Sequence, residues 1–323
     1  MLSIFSAIPI RIKDVSGNLI HAQIQMHGKD LFSGIFHIAG ETGELVFLFS
    51  QGKLVSIYKL VENRWAGLPK MEWDETIASC TGELRVTNFS VESLRLLRLF
   101  LEADFSESKT VPSIPANELA FRASQRGDSG RAALMTIRRD SAGAILLYPA
   151  SQTSFTEAVL VSDMQAQTGP AVANQIKSWG NQLCQVDTCV SEDRSEAWKE
   201  YFLRISFGQF VQYVLQRYAE LAGQFLVKDL NDQVNDEAKS WGIDLSLYGN
   251  NLSNRQFFET ANRAGRAYVT IFNVINEHMY GVIGEKVVMS IRKDAVMSLD
   301  LDSRILVQEY VLSRLDQGIQ EDR

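Results

Sequence analysis

Three of the four histidines, the residues best suited to bind a metal ion, lie close together near the N-terminus as His21, His27 and His37. A metal site needs several His, Cys or carboxylate ligands to converge on one point. His21 and His27 are six residues apart, so they would share a face only in an unbroken strand. We interpret all three as surface or hydrogen-bonded core residues. His278 lies among apolar helix residues and is expected at the edge of a core, where a pH-sensitive contact is the alternative.

Other reactive groups also have simpler structural explanations. The Gly40-Glu-Thr-Gly43 segment lacks the Lys-Ser/Thr pair of a phosphate loop and is typical of a hairpin turn. Cys184 and Cys189 are five residues apart, so a regular strand would point them to opposite faces.

The carboxylate pairs need no catalytic explanation either. Asp300 and Asp302 precede a helix, where acidic side chains cap free N–H groups. We therefore predict no catalytic, metal-binding or cofactor-binding residue, and a protein that is not an enzyme.

The elements that would position any site are duplicated. The segment Gly34–Phe49 aligns without a gap over Ala133–Tyr148, and the paired residues agree in size and polarity. Such a repeat predicts two copies of a strand-turn-strand unit. An offset of about one hundred residues also places Val186 over Val86 in a later strand, which extends the repeat beyond the hairpin.

Composition separates the two copies. The segment Glu102–Pro115 is rich in polar residues and contains two of the six prolines, which favours a linker. The predicted fold class is α+β, with two related N-terminal modules of mainly antiparallel sheet and helices, followed by an all-helical C-terminal bundle. The predicted boundaries are 1–104, 116–191 and 192–323.

From residue 192 onward the apolar period changes to that of a helix. Gly208 is the candidate break in a long first helix, and Ser253–Gln256 is a candidate capping box for a second. A stripe of apolar residues is expected on one face of the first helix: Trp198, Phe202, Ile205, Phe210, Val214, Tyr218, Leu221 and Phe225.

A second stripe has the spacing of a coiled-coil seam. We predict that it forms an interaction seam for a partner or a second copy of the chain, through Tyr268, Phe272, Ile275, Met279 and Val282. The alternative is an apolar effector bound between the helices, in contact with Phe210, Tyr218, Tyr268 and Phe272.

Composition narrows the class of protein. The chain has 323 residues, 46% of them hydrophobic, and a net charge of −7, which argues against a broad nucleic-acid or anionic-membrane surface. No apolar run approaches the roughly 20 residues needed to cross a bilayer. Three cysteines, with no two at metal-ligand spacing close to a histidine, indicate a reducing cytoplasm.

The segments Phe32–Ile38, Glu44–Phe49 and Lys53–Tyr58, with the turn at Gly52, resemble the PatA N-terminal (PATAN) domain. The resemblance covers about the first 190 residues as two copies, although the second has Pro149-Ala-Ser151 where a Gly-containing turn is expected. This family is associated with bacterial signalling, where the domain is a protein-interaction module. The resemblance therefore implies a cytoplasmic, non-enzymatic signalling adaptor with protein partners in a signalling or motility pathway, no nucleic acid and no membrane insertion. A small-molecule sensor is the alternative function.

Overall fold

A computed structural model describes the chain in two compact units, Met1–Asp193 and Arg194–Arg323. The described residues are 10–40, 43–62, 64–103, 111–118, 133–139, 142–148, 157–162, 165–190 and 195–315. The turn expected at Pro149–Ser151 lies outside them.

The first six-stranded sheet is antiparallel and has the order β1-β6-β2-β3-β4-β5. Its strands alternate in side-chain direction, so that Phe36 and Ile38 lie on one face and His37 on the other. The strand bounds are β1 Ile10–Ser16, β2 Gly34–Gly40, β3 Gly43–Ser50, β4 Lys53–Val61, β5 Arg64–Gly67 and β6 Thr81–Asn88.

The second six-stranded sheet has the order β7-β12-β8-β9-β10-β11 and is also antiparallel. The two sheets have the same topology, because β7 corresponds to β1, β12 to β6, and β8 to β11 correspond to β2 to β5. Its strand bounds are β7 Val111–Pro115, β8 Ala133–Arg139, β9 Ala142–Tyr148, β10 Glu157–Ser162, β11 Gln165–Thr168 and β12 Leu183–Val190.

Strand register supports the duplication residue by residue. Gly34 pairs with Phe49 in the first sheet, and Ala133 pairs with Tyr148 in the second, which is the pairing that the aligned hairpins require. The predicted equivalence of Val186 with Val86 is wrong. Ile38 pairs with Leu84 and its counterpart Ile137 pairs with Val186, so Val186 corresponds to Leu84.

Helices cover both sheets in the first unit. Helices α1 (Gly17–Lys29) and α2 (Trp73–Ser79) follow β1 and β5, and α3 (Val91–Glu102) follows β6. In the second sheet α4 (Pro170–Ser178) occupies the position of α2, between β11 and β12. The helix α3 packs against strands of both sheets, namely β3, β5, β9 and β10. Accordingly, every residue from 93 to 101 is buried, as expected for a helix that is covered all round.

One element of this unit was not predicted, and one expectation is wrong. Helix α1 was not expected from the sequence, and it carries both His21 and His27. The segment Glu102–Pro115 is not only a linker, because Glu102 ends α3 and residues 111–115 form β7 at the edge of the second sheet.

The second unit is built from long helices that share an apolar core. Ser195 caps the first of them by accepting a hydrogen bond from the Trp198 N–H, and Thr260 caps the third through the Arg263 N–H. The helices are α5 Glu196–Ala222, α6 Gln224–Ser240, α7 Ala261–Ile283, α8 Glu285–Ser298 and α9 Leu301–Val307, which continues as a π-helical turn over Gln308–Leu312.

This unit contains a second internal repeat, of the form helix-glycine-helix. Gly223 separates α5 from α6, and Gly284 separates α7 from α8, at an offset of 61 residues. At that same offset each buried position of α6 matches a buried position in α8 or directly after it: Val227 with Val288, Leu230 with Ile291, Asn231 with Arg292, Val234 with Ala295, and Ala238 with Leu299.

The repeated helix pairs meet along α5 and α7, which run in the same direction. Three ring contacts show this, because they follow the same order along both helices: Phe207 with Tyr268 at 4.3 Å between centroids, Phe210 with Phe272 at 5.0 Å, and Tyr218 with His278 at 5.8 Å.

Three expectations for the helical unit are wrong. Gly208 does not break α5, which ends at Ala222. Ser253 lies in a strand, so Ser253–Gln256 is not a helix cap. The unit is not all-helical, because β13 (Leu245–Tyr248) and β14 (Asn251–Asn254) form a hairpin between α6 and α7.

Candidate interaction surface

The β13–β14 hairpin is attached to α6 by two asparagine side chains. The Leu247 N–H donates to Asn235 Oδ1 at 2.6 Å, and Asn235 Nδ2 donates to the Leu247 carbonyl at 3.0 Å. One turn earlier, Asn231 has its amide oriented to accept from the Gly249 N–H at 2.8 Å and to donate to the Gly249 carbonyl at 3.2 Å. These side chains satisfy backbone groups at the hairpin tip, so the tip is held in a fixed position on the helix.

Strand alternation sends two leucines inward and an aromatic residue outward. Leu245 and Leu247 are buried in the core of the unit, whereas Tyr248 is 86% exposed. Trp241, just after α6, is 64% exposed, and Phe225, at the start of α6, is 82% exposed. Exposed Tyr and Trp side chains are enriched at protein interfaces. The α6 side of this unit therefore presents large side chains that lie mostly outside the core.

A small polar cluster joins three helices beside this surface. His278 Nδ1 of α7 lies 3.2 Å from Gln233 Oε1 and 3.9 Å from Asp229 Oδ2, both on α6, while its ring packs edge-on against Tyr218 of α5. Burial raises the pKa of Tyr218, and the nearby Asp229 carboxylate adds to this effect. His278 thus lies at the edge of the core, in contact with polar side chains of α6.

The predicted interaction seam lies largely inside the unit. Tyr268, Phe272, Ile275 and Met279 are fully buried in the core, and Val282 is 43% exposed. A partner could reach the first four residues only if the helices separated.

The aromatic residues of the alternative sensor site lie close together, but their rings pack against other side chains of the core. Phe210 contacts Phe272, and Tyr268 stacks on Phe207 with an interplanar angle of 8°. Tyr218 is also buried in the same core.

The N-terminal histidines take separate structural roles. His27 packs against Phe32 and Phe36, and His37 Nε2 lies 3.0 Å from Glu44 Oε2. Among the described residues no group of three or more His, Cys, Asp or Glu side chains is placed to hold a metal ion. The three cysteines are buried and unbridged, and burial raises the pKa of the Cys80 thiol to about 11.

A buried ionic network lies between α3 and β4. Arg98 Nε donates to Glu102 Oε1 at 2.9 Å, and the Tyr58 hydroxyl donates to the same oxygen at 3.0 Å. Burial, followed by the charge of Glu102, raises the pKa of Tyr58, so the phenol stays protonated and remains a hydrogen-bond donor. This network fixes α3 to the first sheet and has the character of a structural contact.

The hairpin and its exposed tyrosine were missed by the sequence analysis. Its signal is the pair Gly249-Asn250 between two short alternating segments, which is typical of a two-residue turn. The strands have only four residues each, too few for the period of two to stand out.

No protein-family model, curated protein or solved structure matches this chain. Among the helices that the structure describes, none has both the length and the apolar character needed to cross a membrane.

Proposed function

We propose that this chain is a non-enzymatic, cytoplasmic bacterial signalling adaptor that acts through protein-protein contacts, and that one contact region is centred on Tyr248. The observation that carries the proposal is the combination of an 86% exposed tyrosine with a hairpin tip held by Asn231 and Asn235. An aromatic residue on a fixed support loses little conformational entropy on binding, which favours affinity.

The resemblance of residues 32–58 to the PATAN domain supports a signalling role for the two sheet modules, and we include it in the same proposal. Fold alone does not decide between an adaptor and an enzyme. The proposal therefore needs a direct test of which proteins this chain binds.

The test is affinity purification of the full-length chain from native cells, with Tyr248→Ala compared with wild type. Met71→Ala is the matched control, since Met71 is 88% exposed and lies in the other unit. We expect at least one protein to be captured by wild type and by Met71→Ala and to be lost with Tyr248→Ala. Identical captured proteins in all three purifications would contradict a role for the hairpin tip.

A further inference from the structure

Two equivalent helices of the second unit carry outer faces of different chemistry. The acidic face of α6 consists of Phe225, Asp229, Asp232 and Asp236, and the basic face of α8 consists of Lys286, Ser290, Lys293 and Met297. All eight residues are exposed. Within each face the residues are three or four positions apart, which places them along one side of a helix.

The repeat does not require this difference. The four residues of the acidic face match those of the basic face at the offset of 61 that also superimposes the buried positions. The buried residues of both helices pack into the same core and are mostly apolar, whereas the exposed residues of the two faces differ in charge. The core therefore explains the buried residues but not the opposite charges of the outer faces. Within the unit, Asp229 of the acidic face also accepts a hydrogen bond from Gln233 and lies 3.9 Å from His278.

We propose that the acidic face binds the basic face of a second copy of this chain, with α6 of one copy antiparallel to α8 of the other. The charges are complementary, and neither face can pair with itself without placing like charges together. Asp236, Lys286 and Lys293 make no ion pair within the part of the chain that the structure describes, so they are available for this contact.

The spacing of the residues selects one register. Asp229 and Asp236 are seven residues apart, and so are Lys286 and Lys293, a distance of about 10.5 Å along a helix. An antiparallel arrangement that places Asp229 opposite Lys293 also places Asp236 opposite Lys286.

The ends of the two faces fit the same register. Phe225 lies four residues before Asp229, and Met297 lies four residues after Lys293, so these two side chains come opposite each other. A thioether against an aromatic ring is a favourable contact. Asp232 comes opposite Ser290, whose hydroxyl can donate to the carboxylate. One register thus pairs every residue of the acidic face with a suitable residue of the basic face.

The resulting assembly is heterologous, because each copy offers one face of each kind. Such contacts continue into a ring or an open chain of copies. A single helix pair makes a small interface with exposed ion pairs, so we expect weak, concentration-dependent association that high salt disrupts. This self-association does not rest on the adaptor proposal and can be tested on the pure protein.

The first test is sedimentation velocity of the full-length chain over a concentration series, at low and at high ionic strength. Wild type should associate at low salt, and Asp236→Lys and Lys286→Asp should each lose that association because each opposes like charges. An equimolar mixture of the two variants should regain it, since the introduced lysine of one variant then meets the introduced aspartate of the other. Unchanged circular dichroism of each variant would show that its fold is intact. A wild-type chain that stays monomeric, or a mixture that stays dissociated, would overturn the proposal.

The second test probes the register by cross-linking. Phe225→Cys and Met297→Cys variants, mixed and oxidised, should give a covalent heterodimer, because the native cysteines are buried. Each variant alone should give far less covalent dimer. Equal cross-linking in the mixture and in the separate variants would refute the antiparallel register.

Discussion

Gly223 and Gly284 adopt nearly the same backbone conformation, with φ 90° and ψ 158° at the first and φ 82° and ψ 150° at the second. Each ends one helix and begins the next, and their N–H groups donate to the carbonyls of Ala219 and Tyr280 respectively. This region of backbone space is accessible essentially to glycine alone. The helix-glycine-helix repeat therefore depends on two glycines for which no other residue is a neutral replacement.

The first prediction concerns these glycines. Gly223→Ala and Gly284→Ala should each lower the free energy of unfolding of the helical unit by roughly 1–3 kcal/mol. Gly208→Ala is the control, because Gly208 lies inside α5 and an added Cβ there would have no atom within 4 Å. That change should raise stability by about 0.5–1 kcal/mol, as alanine in a helix interior does. Urea unfolding followed by far-UV circular dichroism provides the measurement.

The second prediction concerns the stripe of α7. Ile275→Asp should lower the free energy of unfolding by at least about 4 kcal/mol, because it places a charge in a fully buried position. Val282→Asp, seven residues further along the same stripe, should cost no more than about 1 kcal/mol, since Val282 is 43% exposed. Similar losses of stability in the two variants would contradict the burial of Ile275 and the exposure of Val282.

These positions show what sequence could predict about the helical unit. Apolar spacing predicted that Ile275 and its neighbours lie on a packed stripe, and the structure places Ile275 in the core. Spacing could not show that the same unit supplies the opposing surface. Phe225 is the reverse case. Its spacing from Tyr218 and Leu221 continues the predicted apolar face, but it follows the break at Gly223 and is exposed.

Prediction succeeded best where local patterns agreed with the fold. The two β-hairpins were predicted correctly from alternation and turn residues. Helix α1 was missed because only Gly17 and Ile20 are buried in it, so it carries almost no apolar period. Tyr248 could not be predicted as exposed, because its direction depends on which face of a four-residue strand meets α6.

The third prediction concerns the buried network beside α3. Glu102→Ala should lower the free energy of unfolding by about 3 kcal/mol, because it removes an acceptor from both Arg98 and Tyr58 in a place largely shielded from water. Tyr58→Phe should cost about 1 kcal/mol, the usual value for one hydrogen bond.

The matched control for this network is an exposed ion pair on a helix. Glu220 pairs with Arg217 on α5, and both side chains are about half exposed. Glu220→Ala should change stability by no more than about 0.5 kcal/mol. A loss for Glu102→Ala as small as that for Glu220→Ala would show that the network contributes little to holding α3.

The last prediction is a pH dependence that originates at His37. Burial lowers the pKa of His37 below its usual value of 6.5, and the hydrogen bond to Glu44 only partly opposes this. The unfolded chain therefore binds a proton at a higher pH than the folded chain. The contribution of neutral His37 to stability is fully present above pH 6.5, and it is lost as the pH falls from there toward the lowered pKa of His37.

Substitution separates this contribution from those of other groups. His37→Gln, which keeps a donor for Glu44, should make the free energy of unfolding decrease less steeply between neutral pH and mildly acidic pH. His21→Gln is the control, because it removes another histidine of the same unit that is exposed on α1 and lies outside the contact between His37 and Glu44. The measurement is urea unfolding at a series of pH values. If the free energy of unfolding falls equally steeply with decreasing pH in wild type and in His37→Gln, the acid sensitivity of the first unit does not arise at His37. Glutamine does not titrate, so its introduction would then have left proton uptake on unfolding unchanged.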